Sequence, residues 1–208
     1  MRKDYHVPYR SEEFIKDVAV ALRKRLRTLH IPDFNLRVCL ERMAREEVLR
    51  SGKIEIAIYK AVGNEPPAFV TFKHTKTLHI DQDVWSDARD NIPWARKILG
   101  HEVGHLALHT HYVQGFSGEK SKAWIDGESS EWQADRFLDH FPDQDIEQYR
   151  TPNAIANHCA VEFDVVLRRL GESFRYSGEC CPKRGNFTLF AEGGSLKCDT
   201  CGCRCTPR

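Results

Sequence analysis

At 208 residues the chain is long enough to bury a sizeable core without help from disulfides. Its 31 Lys and Arg against 30 Asp and Glu leave a formal net charge of +1, too even a balance for a protein that coats itself in nucleic acid, so any such contact is local. No apolar run is long enough to span a bilayer, and the opening "MRKDYHVPYRSEEF" lacks the apolar stretch of a secretory leader, so a cytoplasmic protein with no membrane partner is expected.

Phe14, Ile15, Val18, Leu22, Leu26 and Leu29 recur at helical spacing over 11–30, with Ser11 placed to cap, Glu12 and Glu13 in the first turn and Pro32 beyond the end. Leu36, Cys39, Leu40, Met43 and Leu49 predict a second helix over roughly 34–49, which "SGK" at 51–53 breaks. The period then changes. "KIEIAIYK" alternates with Ile54, Ile56 and Ile58 on one face, and "AFVTFKH" and "TLHID" predict two further short strands joined at Lys76. Together they read as a small antiparallel meander. Pro93 suits the first turn of the next helix, and a polar loop over 114–127 follows it.

Further helices are expected at about 128–139, 152–159 and 162–171, after which the composition turns to Gly, Cys and Lys. Ala154, Ile155, Val161, Val165, Val166 and Leu170 are more simply core contacts than parts of a DNA-reading helix-turn-helix. The expected fold is therefore α+β. A small three-stranded antiparallel sheet and a helical bundle occupy 1–172, and a small Cys-rich module occupies 173–208.

The stretch "ARKILGHEVGHLALHTHYV" at 95–113 concentrates His101, Glu102, His105, His109 and His111 on one predicted helix. Residues four apart project from one face, so His101 and His105 can offer two imidazole nitrogens to a single ion, with Glu102 beside them to reach a metal-bound water. This is the H-E-x-x-H arrangement of zinc-dependent peptidases, where zinc brings the pKa of its water to about 7 and a carboxylate completes the deprotonation. The bland alternative is an exposed helix that happens to carry these residues. His109 lies about 12 Å along the axis from His101, too far to share the ion, and reads as a packed or hydrogen-bonded histidine near the helix end, where a cationic form would suit the dipole.

Catalytic zinc takes three protein ligands and keeps a position open. In "GESSEWQADRF", Glu131 has Asp135 one turn on, so Glu131 could bind the metal while Asp135 accepts the free N–H of a ligating histidine. Glu128 has no such partner. For steadying an oxyanion, His79, His111, Tyr112 and Arg136 are the candidates.

"LGHEVGHLALH" followed by "EWQADRF" resembles the ImmA/IrrE family of bacterial zinc metallopeptidases, whose pattern is H-E-x-G-H-x-x-x-H and then E-x-x-A-[N/D]-x-F. The later "NAIANHCAVEFDVVLRRLGE" is similar to the helical segment that commonly follows. The resemblance spans about 35–170 and is tightest over 99–137. It implies a soluble regulatory protease that cleaves a helix-turn-helix repressor, with His101, His105 and Glu131 binding catalytic Zn2+ and Glu102 as the base. It also implies that an extended substrate segment adds as a strand to "TLHID", taken as the sheet's edge. The chain departs from the family pattern in "NIPWARKILGHE", before the motif, and in its cysteine tail.

Of the eight cysteines, Cys39 and Cys159 sit in amphipathic segments as ordinary buried residues, and the rest crowd into the tail. In a reducing compartment such a cluster favours metal over disulfides. "CPKRG" and "CDTCG" look like two knuckles of a zinc ribbon, the first damaged by Arg184. Cys180, Cys181, Cys198 and Cys201 are the expected ligands of a second, structural Zn2+, with Cys203 and Cys205 also eligible. The basic tail suggests a second function class: a DNA- or protein-binding regulator that works through this module, its peptidase-like core non-hydrolytic.

Overall fold

The computed structural model describes residues 4–31, 33–72, 74–109, 117–118, 125–141, 152–170, 189–192, 195–198 and 201–205. Helix α1, Glu12–Leu26, starts at Ser11, whose hydroxyl accepts from the Phe14 N–H, and ends at Arg27 in the left-handed region. Helix α2, Leu36–Arg45, is capped by Asn35 in the same manner. Both bury one stripe, Ile15, Ala19, Leu22 and Leu26 from α1 and Leu36, Cys39, Leu40 and Met43 from α2.

Three strands follow, β2 (Ile54–Tyr59), β3 (Ala68–Phe72) and β4 (Lys76–Asp81), after a two-residue β1 at Asp4–Tyr5. They form a mixed sheet in the order β2-β4-β3, not an antiparallel meander: β4 pairs antiparallel with β3 but parallel with β2. The burial pattern accounts for this. Lys76, Leu78, Ile80 and Asp81 are buried on β4, which takes the centre, while β2 leaves Glu55 and Ile58 exposed as an edge can. The turn between β3 and β4 is tight enough to force antiparallel neighbours, whereas 60–67 is long enough to leave room for β4 between β2 and β3.

A short helix α3, Gln82–Arg89, follows β4 directly. The Asp81 carboxylate caps it by accepting from the Asp83 N–H, and only Val84 and Ala88 are buried. Two apolar positions set no visible period, which is why the sequence reading passed over it. Helix α4, Pro93–Leu108, has Pro at its start and His109 as its C-cap. Nearly every residue from Leu99 to Leu108 is buried, because α1, α2, α3, α5 and β3 all pack against it.

Helix α5, Ser130–His140, lies across α4 and α1. Gly104 sets how close it comes: a Cβ there would stand 3.0 Å from the Ala134 Cα and 3.2 Å from the Phe137 Cβ. Helices α6 (Pro152–Cys159) and α7 (Phe163–Leu170) bring together a smaller cluster of Ile155, Ala156, Cys159, Val161 and Val166. A two-residue β5, Ser117–Gly118, pairs with β1. Near the C-terminus β6 (Leu189–Glu192), β7 (Ser195–Cys198) and β8 (Arg204–Cys205) form a separate antiparallel sheet. No helix among the described residues is long and apolar enough to cross a membrane.

Candidate metal centre

His101 and His105 sit one turn apart on the buried face of α4, 2% and 3% exposed. Across from them α5 presents Glu131. The three groups converge: His101 Nε2 is 3.1 Å from His105 Nε2 and 3.3 Å from Glu131 Oε2, and His105 Nε2 is 3.3 Å from Glu131 Oε1. A tetrahedral ion with bonds of about 2.0–2.1 Å to nitrogen and oxygen holds its ligand atoms roughly 3.3 Å apart. The separations are thus of the size such an ion imposes, with one Glu131 oxygen facing each histidine. Two imidazole nitrogens facing both oxygens of a carboxylate make a donor set that could hold a cation. Burial of Glu131 works against its ionisation, but the two imidazoles facing its oxygens prevail and hold its carboxyl well below the usual range.

Each histidine is supported from behind. Asp135 Oδ1 lies 2.9 Å from His101 Nδ1, so that ring donates a hydrogen bond from Nδ1–H to the carboxylate and turns Nε2 inward. On the other side His109 Nδ1 lies 3.2 Å from His105 Nδ1, and His109 Nε2 lies 3.1 Å from Gln133 Oε1. His109 is buried, and that burial, with His105 beside it, pushes its pKa down to about 3. The cationic form that a helix terminus would favour is thus overruled by desolvation. Its backbone is fixed as well: Lys76 Nζ donates to the His109 carbonyl at 2.6 Å and to the Leu106 carbonyl at 2.8 Å. Burial pushes the Lys76 ammonium down to about 8.

The helix that carries Glu131 is held by the far end of the chain. Asp4 accepts from Ser129 Oγ at 2.7 Å, from Ser130 Oγ at 3.1 Å and from the Glu131 N–H at 3.1 Å. Ser129 Oγ in turn caps α5 by accepting from the Trp132 N–H. Alongside, the Val7 N–H donates to the Glu128 carbonyl and the Arg10 N–H to the Gly127 carbonyl. Only glycine fits at 127, where a Cβ would meet the Tyr9 ring at 2.5 Å. Residues 4–10 thus form a strap against the start of α5. Sequence reasoning missed Asp4, Gln133 and the part played by His109, because nothing local marks a partner on another element.

Glu102 follows His101 on α4 and is 5% exposed, and no described residue hydrogen-bonds its carboxylate. Glu128 closes a 3-10 turn, Asp126–Glu128, where its carboxylate accepts from the Ile125 N–H and neighbours His6, away from the triangle. "TLHID" falls in β4, the central strand, so it offers no free edge; among the described residues the edge beside α4 belongs to β3. His79 stacks on Phe69 with ring centroids 4.5 Å apart and contacts Thr71 Oγ1 at 3.1 Å, on the sheet face opposite Leu78 and Ile80. Arg136 covers the Trp132 ring and pairs with Asp139. His111 and Tyr112 lie outside the described residues.

A second cluster forms at the C-terminal sheet. One potential ligand atom each from Cys198, Cys201 and Cys203 lies within 4.8 Å of the others. The Cys198 N–H donates to the Cys203 carbonyl and the Gly202 N–H to the Cys198 carbonyl, closing a tight knuckle at the end of β7. Of the expected set, Cys198 and Cys201 meet here with Cys203 as the third thiol, and Cys180 and Cys181 lie outside the described residues. Comparison with protein-family models, with curated proteins and with solved structures returns no match for this chain.

Proposed function

We propose that the chain is a zinc-dependent endopeptidase of the ImmA/IrrE kind, cytoplasmic and regulatory, acting on a protein substrate such as a helix-turn-helix repressor. One observation carries this reading: one ligand atom each from two histidines and a glutamate lies within 4.8 Å of the others, with a buried glutamate next in sequence to the first histidine. His101, His105 and Glu131 would hold the ion, which would supply Lewis acidity toward a water and a substrate carbonyl. Glu102 takes a proton from the attacking water and passes it to the departing amine. Asp135 keeps the proton of His101 on Nδ1 throughout. An extended substrate segment pairs with the edge of β3, the strand that packs against α4.

A Glu102→Gln variant tests the reading, since it removes the base and leaves the three metal donors intact. Incubated with helix-turn-helix repressors, the wild type should yield discrete fragments and the variant none. Regulation that persists undiminished with the variant would rule out proteolysis as the mechanism. The three clustered thiols support a second reading, in which the tail contacts DNA or a protein partner and does the work. Removing 178–208 separates the two, because full activity of the shortened chain excludes the tail as the working part.

A further inference from the structure

We infer that His109 and Gln133 are positioning residues for His105, joined in a one-way hydrogen-bond chain that places the His105 proton on Nδ1 and its lone pair on Nε2, facing the metal. This rests on the metal reading given above. The direction of the chain follows from its far end. Gln133 Nε2 is 2.9 Å from the Pro8 carbonyl and 2.7 Å from the Gly127 carbonyl. Two carbonyl oxygens at those distances accept only from an amide NH2, so the Gln133 side chain cannot be flipped, and Oε1 must face His109.

From there the protons are forced one by one. An amide oxygen only accepts, so His109 Nε2, 3.1 Å away, carries a proton. His109 is 4% exposed and the Lys76 ammonium sits on its own carbonyl, so the ring is neutral, with one proton to give, and Nδ1 is left bare. Facing it at 3.2 Å, His105 Nδ1 therefore donates. His105 Nε2, the atom turned toward Glu131, is left with its lone pair. The reverse assignment would point two N–H groups at each other or protonate the metal-facing nitrogen.

The two ligands are thus prepared differently. His101 is backed by a carboxylate that adds negative charge to the ring, whereas His105 is backed by a neutral imidazole and amide that fix the tautomer without adding charge. The anchor of the neutral chain is the main chain of the N-terminal strap and of the turn before α5. The strap is therefore a working part of the site, although no ligand lies on it.

Long-range proton–nitrogen NMR of the 15N-imidazole-labelled, zinc-loaded full chain tests the proton positions. The expected result is His109 protonated on Nε2 and His105 on Nδ1; a His109 proton on Nδ1, or on both nitrogens, overturns the proposal. Zinc affinity by chelator competition tests the consequence. His109→Phe, which leaves the His105 N–H without its acceptor, should weaken zinc roughly 10- to 100-fold. His109→Gln, which keeps an acceptor oxygen, should recover most of the loss. Melting of the zinc-free proteins separates a packing defect from a positioning one. Equal loss in both variants, or loss in neither, overturns the proposal. Unchanged zinc content after His101→Ala with His105→Ala would instead dispose of the metal reading itself.

Discussion

His101, His105 and Glu131 come from two helices, and they meet through contacts that run back to Asp4 and Pro8, whereas Cys198, Cys201 and Cys203 lie close in sequence, from the end of β7 to just before β8. The first cluster is held by a buried core that includes Leu99, Val103, Leu106 and Phe137. Its donors are in place because the fold is in place. Among the described residues, the second is closed by backbone hydrogen bonds from the Cys198 and Gly202 N–H groups and by a glycine at φ +69°. The contrast suggests that metal binds to a finished fold at the helices, while at the knuckle metal and local folding are linked.

The largest effect should come from breaking the knuckle. Cys198→Ser with Cys201→Ser should remove the ion together with the ordered β6–β8 sheet, seen as collapse of its amide NMR dispersion, since structural zinc is worth on the order of 10 kcal/mol to such units. The melting temperature of the core should not move, and a fall there would show that the clusters are not independent. Next in size is Asp135→Asn. It keeps the shape of the side chain but weakens the charged partner of His101, and it should cost roughly 10- to 100-fold in zinc affinity by chelator competition. Asp135 Oδ1 lies 2.9 Å from the Nδ1 of a proposed ligand, so the loss falls first on metal affinity.

Asp4→Ala should behave in the opposite sense, lowering stability in urea. It strips a carboxylate that accepts from two hydroxyls and a helix N–H, a loss of about 1–2 kcal/mol. The smallest effect is a pH slope confined to the core. Asp139 is buried between Arg168 and Arg136, and burial outweighs both cations to raise its carboxyl from 3.8 to about 6. Between those values the folded state keeps a proton that the unfolded chain has lost, so this group makes stability fall as pH rises from about 4 to about 6 and adds no slope above. Urea titrations of wild type and Asp139→Asn should differ by that slope, and identical slopes would mean the carboxyl titrates normally.

What could be read in the sequence is what repeats within one element. His101 with His105 and Glu131 with Asp135 are both pairs four apart on a helix, and that spacing alone puts each pair on one face. Most helices showed their period, cap or proline. Strand order was not legible, because alternation in "TLHID" says that one face is buried and not which neighbours the strand takes. Nor was the hydrogen-bond chain behind His105. Gln133 lies 24 residues from His109 and 125 from Pro8, and no pattern along the chain relates them. His109 was placed correctly outside the reach of the ion, but its charge was misjudged because a dipole argument takes no account of burial.

Zinc per chain, measured by elemental analysis on the wild type and on His101→Ala with His105→Ala, tests the central claim most directly. A loss of one equivalent in the double variant, with the remainder removed by Cys198→Ser, is the predicted result. Equal zinc in wild type and double variant would mean that the two helix histidines hold no metal, and the peptidase reading would fall with them.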